Sequence, residues 1–510
     1  MISFSLVTNN FIDRSCDAYV FFLRHQFDMA RLSALAKPLA PLFESSLKER
    51  GFTGRAGNTL IINSVYNNRA IYLIFIGLGD LPDERAGGYG SIEPYRRALG
   101  SLVRIAESHR LNSFTFELPD PVLMNLSYEH LAQETSTILD KASYHFDQFI
   151  TNDDRKYQWD MNAFIGVNKK FEAETQKGLD LGRSFAEAIN TARRWCDMPP
   201  SLLPPDILAE EAVKLAKEHN LSTKVFTKKD ILAFGMGGIE GVARGSVHEP
   251  RLVVIEYYPQ EKSSQTVVLV GKGVTFDTGG LCLKPPSGML TMKDDMAGAA
   301  VVMAAMNVIA QLQPSINVIA LAPLVENMPS GSAHKPGDVI IAYNGKTIEL
   351  IDTDAEGRLI LADALSYANE IYKPSAMFDV ATLTGACAHA LGVYYAGLFT
   401  QHEELAQRTL ASSYKTGDHV WRMPLDDDYR PALYSDIADM KNIGSPKYLG
   451  SAITASLFLK EFTGNTPWVH LDIAGVAFGV PDLTYVRPGA TGFGIRLLTD
   501  LVMTWQPLTK

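Results

Sequence analysis

The chain has 510 residues, of which 46% are hydrophobic, 20% charged and 10% aromatic, and this composition excludes a disordered, collagen-like or disulfide-scaffold protein. The length predicts two or three domains rather than one core. Because 57 Asp and Glu outweigh 47 Lys and Arg, the net charge of -10 repels phosphate backbones, and nucleic acid is not the expected partner.

Cysteine usage and the N-terminus indicate the compartment. The 4 cysteines are far apart and form no CxxC pair, so neither a disulfide framework nor a thiolate zinc site is predicted. The first residues, MISFSLVTNNFIDRSCD, lack the basic and apolar regions of a secretory signal. We interpret the apolar window 381–399, which contains His389, as core rather than as a membrane span. A cytoplasmic protein without a membrane partner is expected.

Residues 1–170 alternate β-rich apolar runs, such as 70–76, with helical stretches, such as 94–107. This alternation predicts a small N-terminal α/β domain. The turn Gly77-Leu78-Gly79 lacks the third glycine of a dinucleotide fingerprint, so a nucleotide site is not favoured there.

A charged helical segment, 171–195, leads into a cluster of four prolines that ends it and starts another helix at Asp206. Beyond it lie short β-branched runs of the kind that form strands covered on both faces, at 252–257, 266–270, 317–324 and 376–381. Residues 171–510 are therefore predicted to form a larger C-terminal catalytic α/β domain, with a mixed sheet flanked by helices.

The most informative segment, residues 271–300, follows the predicted strand 266–270, and active sites of α/β proteins gather where strands end. Its charged candidates are Lys272, Asp277, Lys284, Asp294 and Asp295. Each also has a purely structural interpretation. The lysines can be solvated, Asp277 can close an Asx turn, and either of the paired aspartates can cap the helix predicted at 296–311.

A second acidic loop, DTDAEGRLILADAL, occupies residues 352–365 after a strand-like run at 347–351. Its carboxylates fall on EF-hand calcium positions, but an EF-hand needs a helix before the loop and this run is a turn followed by a strand. An aspartyl-phosphate phosphatase also places D-x-D after a strand, yet the crowded Glu356 and Arg358 suit a metal site better.

Together the two loops can bind metal. Four carboxylates follow different predicted strands: Asp277, Asp295, Asp354 and Glu356. Buried carboxylates cannot all be ionised without neutralising cations, and two divalent ions would supply them. Such a pair activates a water molecule and polarises a carbonyl or phosphoryl oxygen. No HExxH pattern occurs, which excludes the commonest single-zinc hydrolase motif.

The runs GKGVTFDTGG, DMAGAA and DTDAEGRL stand in the order and spacing of the leucyl aminopeptidase family, the cytosolic di-metal exopeptidases. The chain resembles that family over residues 192–498, most strongly over 268–399, and only loosely in the N-terminal domain. Supporting matches are ENMPSGSAHKPGD, ATLTGA, SDIADMKNIG, HLDIAG and GATGFGIRLL.

The resemblance implies roles for individual residues. The metal ligands would be Lys272, Asp277, Asp295, Asp354 and Glu356. The tighter ion would use all of these except Asp354, and the more exchangeable ion would use Asp277, Asp354 and Glu356. Lys284 would stabilise the oxyanion and Arg358 would hold a bicarbonate ion as general base. Mn or Zn is expected, with Co or Mg as alternatives.

The sequence departs from the family at Asp352, where the family commonly has Asn, two residues before Asp354. The extra carboxylate could tighten metal binding or favour substrates with a basic first side chain, which questions the leucine preference. A milder departure is WCDMPPSLLPPD at Trp195, where the family is usually Asn-rich.

These features predict a leucyl-type metalloaminopeptidase that removes the first residue from peptides with a free N-terminus, assembled as a homohexamer. Two alternatives stay open. One is a di-metal hydrolase of another amide or phosphoester. The other is a DNA-binding accessory protein, a second role of some family members, against which the net charge of -10 argues.

Overall fold

A computed structural model describes residues 2–80, 92–157, 160–481 and 483–509. The chain forms two compact units, one of Met1–Glu187 with Asp482–Arg487 and one of Ala188–Pro481 with Pro488–Lys510. The division falls inside a helix, whereas the boundary that we predicted, between residues 170 and 171, lies just before that helix begins. The division into domains 1–170 and 171–510 stays a prediction.

The smaller unit contains a six-stranded sheet in the order β1-β6-β5-β2-β4-β3. Its strands are β1 Ile2–Val7, β2 Ala18–Arg24, β3 Thr59–Tyr66, β4 Arg69–Gly79, β5 Ser113–Glu117 and β6 Met161–Gly166. All neighbours are parallel except the edge pair β3 and β4. The strand predicted at 70–76 is confirmed by β4, which is buried from Leu73 onward because both faces are covered.

Helices complete this unit, and the one predicted at 94–107 is confirmed. They are α1 Met29–Leu35, α2 Ala40–Glu49, α3 Glu93–Ser108, α4 Tyr128–Ser143 and the first part of α5 Glu172–Asp197. One core packs α3 and α4 on the sheet through Leu99, Leu102 and Leu139, and a second core forms around Phe43 and Phe75.

The larger unit is built on a nine-stranded mixed sheet, so the predicted fold class is confirmed. The order is β16-β15-β18-β14-β9-β11-β8-β7, and β10 pairs with β11. The strands are β7 Ser222–Phe226, β8 Arg251–Tyr257, β9 Thr266–Gly271, β10 Gly273–Asp277, β11 Asn317–Asn327, β14 Ala376–Ala381, β15 Ala396–Phe399, β16 Val420–Arg422 and β18 Trp468–Asp472. A separate three-stranded sheet joins β12 Val339–Ile341, β13 Thr347–Glu349 and β17 Met440–Lys441.

Ten α-helices of the larger unit follow α5 among the described residues. They are α6 Pro205–Glu218, α7 Lys228–Ala233, α8 Gly237–Ala243, α9 Pro286–Met289, α10 Ala297–Leu312, α11 Gly357–Tyr372, α12 Gly385–Leu391, α13 Glu403–Thr416, α14 Ser451–Lys460 and α15 Ile495–Met503. Helices α8, α11 and α14 pack on the sheet face that contains Val268 and Val270. Since the alternate residues Val267 and Leu269 are buried too, the sheet is covered on both sides.

One described segment, Pro286–Leu312, has the length and hydropathy of a membrane-crossing helix. Of its most apolar window, 83% is buried inside the protein, which is the environment of a core helix. Within the window 381–399, strand ends are buried while α12 is partly exposed.

Candidate metal centre

Two loop segments meet where the central strands end. Parallel neighbours β9, β11 and β14 place their carboxyl ends at one edge of the sheet. Residues 272–295 follow β9 and include β10, and residues 352–356 lie between β13 and α11. Because these loops come to the same edge, the two acidic segments singled out in the sequence become neighbours.

Lys272 lies at the centre of the first group of contacts. Its Nζ is 2.7 Å from Oδ1 of Asp295 and 2.8 Å from Oε1 of Glu356. The same Nζ donates to the carbonyl oxygen of Thr382 at 2.9 Å. All three charged residues are at most 4% exposed, so the lysine is buried against carboxylates and is not the solvated side chain of the alternative interpretation.

Lys284 forms the second group of contacts. Its Nζ lies 2.8 Å from Oδ2 of Asp277 and 2.5 Å from Oδ1 of Asp354. The carboxylates of Asp277, Asp354 and Glu356 offer oxygen atoms that all lie within 4.8 Å of one another. The structure therefore brings together all six of these side chains, from two segments about 60 residues apart in the chain.

The electrostatics show a shortage of positive charge. Burial, followed by the charge of Glu356, raises the pKa of Asp277 to about 7. Burial likewise raises the pKa of Asp295 well above its usual range, although Lys272 opposes the shift. Burial also raises the pKa of Glu356, but Lys272 outweighs it and holds that pKa below the usual value. Two lysines thus do not keep every carboxylate of the cluster ionised.

Burial lowers the pKa of Lys272, but the charges of Asp295 and Glu356 outweigh this effect and raise it. The pKa of Lys284 is raised in the same way, by Asp277 against the effect of burial. Both ammonium groups thus supply positive charge among the carboxylates, as a metal cation would. A divalent ion brings twice the charge and would displace the proton of Lys272 on binding.

The donor set fits divalent cations. It consists of carboxylate oxygens and lysine nitrogen, and oxygen-rich sites suit hard ions. Oδ2 of the buried Asp295 has no hydrogen-bond partner among the described residues. A buried carboxylate oxygen without a partner is costly, and a metal ion would satisfy it.

Of the purely structural roles considered for the aspartates, helix capping is absent and the Asx turn is present. Helix α10 begins after Met296 without a side-chain cap, so neither Asp294 nor Asp295 caps it. Asp277 does close a turn, because its Oδ1 accepts from the backbone N–H of Gly279 at 2.8 Å. That turn leaves Oδ2 facing Lys284, so the structural role and a ligand role are compatible.

Three neighbours of the carboxylates were missed in the sequence. Nδ2 of Asn327 donates to Oδ1 of Asp277 at 2.8 Å, and the Thr382 hydroxyl donates to Oδ1 of Asp295 at 2.8 Å. The Thr353 hydroxyl ties the two loops together by donating to the Gly279 carbonyl at 2.6 Å. Asn327 and Thr382 lie within ENMPSGSAHKPGD and ATLTGA, which were noted only as supporting matches.

Arg358 lies in the first turn of α11, two residues after Glu356. Its Nη1 donates to the carbonyl oxygen of Asn442 at 2.7 Å, whereas its Nε has no partner among the described residues. Burial lowers the pKa of Arg358 to about 10. The side chain therefore stays positively charged at neutral pH and has a free donor for an anion.

Asp352 is partly buried beside the cluster, and its Oδ1 accepts from the backbone N–H of Asp354 at 2.8 Å. Nδ2 of Asn442 donates to the Asp352 carbonyl at 2.6 Å. The side chain of Asp352 therefore also stabilises the loop that carries Asp354, a structural role beside the two that its charge suggests.

The fold and the site together define a mixed α/β protein with an acidic, lysine-containing centre at the carboxyl edge of its larger sheet. The sequence profile of the cytosol aminopeptidase family, catalytic domain, matches residues 190–499, and that of the family's N-terminal domain matches residues 24–153. The chain belongs to the cytosol aminopeptidase family. The family's N-terminal domain is thus recognised in the part of the chain where the sequence showed only a loose resemblance.

Similar proteins agree with this membership. A probable cytosol aminopeptidase of Methylobacillus flagellatus is 39% identical, over 89% of this chain and 90% of the relative. One from Aquifex aeolicus is 38% identical over 94% of both chains. The solved structure of the bottromycin maturation enzyme BotP in complex with Mn has a TM-score of 0.82 and 31% identity, covering 96% of this chain and 99% of that chain. Family membership indicates an aminopeptidase, a hydrolase that acts on peptides.

Proposed function

We propose that the chain is a metal-dependent aminopeptidase of the leucyl type, which releases the first residue of a peptide with a free N-terminus by means of two divalent ions. The observation that carries the proposal is the convergence of Asp277, Asp354 and Glu356, with oxygen atoms within 4.8 Å of one another. Lys272 and Asp295 stand directly beside them.

The proposed ligands divide into two sets. One ion would be held by Lys272, Asp277, Asp295 and Glu356, and the other by Asp277, Asp354 and Glu356. When bound, the ions polarise the scissile carbonyl and lower the pKa of a water molecule. Asn327 and Thr382 orient Asp277 and Asp295 through the hydrogen bonds described above, as outer partners of metal ligands do.

Two cationic side chains would act on the substrate and the base. Lys284 is charged and only 16% exposed, so it can stabilise negative charge that develops on the carbonyl oxygen. Arg358 would orient an anion with its free Nε, and a bicarbonate ion held there supplies the general base when bound.

The ions proposed are Mn or Zn, with Co or Mg as alternatives, and the Mn in the BotP complex supports the first of these by analogy. We also propose a homohexamer located in the cytoplasm, which rests on family membership. Peptides with a free N-terminus are the proposed substrates.

The test is to remove metal with a chelator, reload with Mn, Zn, Co or Mg, and measure hydrolysis of a panel of aminoacyl anilides. We expect no hydrolysis without metal and recovery with Mn or Co, because oxygen ligands with one lysine nitrogen do not demand zinc. Leucyl anilide should be among the best substrates. Full activity in a sample that elemental analysis shows to be metal-free would refute the proposal.

A further inference from the structure

A concave site lies in the larger unit, outside the metal centre. It is a cavity of about 600 Å³ between helices α7 and α8 and strand β12. Small-molecule sites commonly have volumes of about 300–1,000 Å³. None of the proposed metal ligands lines this cavity, so the proposed chemistry leaves it without a role.

The cavity contains a buried histidine with unused hydrogen-bonding capacity. His334 is 2% exposed, and neither of its ring nitrogens has a hydrogen-bond partner among the described residues. Burial lowers the pKa of His334, so the ring is neutral at neutral pH and has one donor and one acceptor. A buried polar group without a partner is destabilising, which points to a ligand that completes it.

Helix α8 packs closely on strand β12 at one wall of the cavity. A Cβ atom on Gly241 of α8 would lie 3.0 Å from Cδ1 of Ile340 in β12, which is tighter than an ordinary van der Waals contact. The glycine therefore lets the helix approach the strand. The apolar wall includes the exposed residues Leu232, Val339 and Ile341, which provide a surface for an aliphatic side chain.

The rim of the cavity carries both signs of charge. Nε of Arg244 lies 2.8 Å from both carboxylate oxygens of Glu240. Nζ of Lys335 lies 3.2 Å from Oδ2 of Asp338. The cationic side chains are 50% and 63% exposed, so they retain donors that face solvent. A carboxylate can bind at the cations and an ammonium group at the carboxylates.

The two walls of the cavity are held by one buried carboxylate. Oδ2 of Asp363 accepts from the N–H of Ile239 in α8, and Oδ1 accepts from the N–H of Tyr343 after β12, both at 2.8 Å. Asp363 is fully buried in α11. The cavity is therefore preformed, and binding there need not order a loop.

We propose that this cavity binds the zwitterion of an apolar amino acid or of a short apolar peptide. Its carboxylate would face Arg244 and Lys335, its ammonium group Glu240 and Asp338, and its aliphatic side chain the apolar wall, while His334 completes the polar contacts. Such a ligand would be a product or a substrate of the reaction, and only this link rests on the proposed function.

The test counts binding sites for L-leucine on the full-length chain by equilibrium dialysis. Since leucine can also occupy the metal centre, the informative quantity is the difference between variants. Leu232→Trp fills the cavity from a side chain that is 55% exposed, and it should remove one leucine site per chain. The matched control Val247→Trp, at a position 93% exposed and outside the cavity, should keep the number of sites. Equal numbers of sites in the wild type and in Leu232→Trp overturn the proposal.

A second variant tests the role of the histidine. His334→Phe keeps a ring but has no donor or acceptor, so it should weaken the cavity site about tenfold and raise the melting temperature. A higher melting temperature with unchanged leucine affinity would show that His334 only fills the core, and this also contradicts the proposal. Because both experiments measure binding, their failure leaves the hydrolysis tests unaffected.

Competing ligands test the zwitterion. Both 4-methylpentanoate, which lacks the amine, and 3-methylbutylamine, which lacks the carboxylate, should compete at least about tenfold more weakly than leucine. Equal competition by either contradicts the assignment of charges. A leucyl-leucine analogue with a reduced, uncleavable bond distinguishes the two proposed ligands. Tighter binding than leucine assigns the cavity to a peptide, and weaker binding assigns it to a free amino acid.

Discussion

Glu356 and Arg358 are two residues apart, but their surroundings differ. Glu356 is 1% exposed, and its carboxylate belongs to the three-carboxylate group and contacts Lys272. Arg358 contacts the carbonyl oxygen of Asn442 and none of these carboxylates within the described contacts. Removing the first therefore alters both proposed ligand sets, whereas removing the second leaves them in place.

We predict that Glu356→Ala lowers kcat/KM for leucyl anilide at least about tenfold further than Arg358→Ala. The alanine variant of the glutamate should also bind less Mn, which elemental analysis after dialysis measures. Arg358→Lys serves as the control that keeps a charge without the guanidinium fork. A larger loss for Arg358→Ala would undo the proposed roles.

Asp352 permits a separation of charge from hydrogen bonding. Its Oδ1 accepts from the Asp354 N–H, and the amide oxygen of an asparagine can replace this acceptor. Asp352→Asn should therefore keep the leucyl rate. The attraction between a partly exposed carboxylate and a basic first side chain of the substrate is worth about 1 kcal/mol. Its loss in Asp352→Asn should lower the ratio of arginyl to leucyl kcat/KM about fivefold.

The measurement for Asp352 compares both anilides in the wild type, in Asp352→Asn and in Asp352→Ala, which also loses the acceptor. If the ratio is the same in all three while Mn affinity falls, the side chain supports the metal centre and has no part in substrate choice.

At the scale of elements, the start of α11 is packed against the metal centre. A Cβ atom on Gly357, the first residue of that helix, would lie 2.4 Å from Cε and 2.7 Å from Nζ of Lys272. No side chain fits at this distance. Only glycine therefore lets α11 begin directly after Glu356 while the lysine lies between its two carboxylates.

We predict that Gly357→Ala lowers kcat/KM about 100-fold, because it displaces Lys272 from Asp295 and Glu356. The matched control is Gly385→Ala at the first position of α12, where a Cβ would meet nothing closer than His389 at 4.0 Å. That variant should retain its activity. Equal activity of the two variants would show that the position of Lys272 does not matter. Melting curves identify any loss of folding.

At the scale of the whole molecule, the net charge of -10 bears on the alternative of a DNA-binding accessory protein. An acidic chain gains little from releasing the counterions of DNA, so binding should be weak even where screening is low. We predict that duplex DNA is not retained in a filter-binding assay at about 50 mM salt. Retention that falls steeply with added salt would instead reveal a basic surface and support that second role.

The sequence by itself determined the fold class and the residues of the candidate centre. Apolar runs such as 376–381 predict buried strands from local periodicity, and β14 has these same bounds. The spacing in DTDAEGRL places Asp354 and Glu356 in one short segment, which is a local property. Motif and periodicity act over a few residues, so they can indicate the strands and the acidic segments, while the roles of single residues stay proposals.

Only the tertiary structure decided which partners these residues have. Asn327 is 50 residues from Asp277, and Lys272 is 110 residues from the Thr382 carbonyl that it contacts. The cavity at His334 likewise needs α7, α8 and β12 together. Such contacts depend on how strand ends and helices pack, and packing brings together segments that are far apart in the chain. No local sequence pattern indicates which of these segments meet. The pairing of each lysine with its carboxylates was therefore a property of the folded chain.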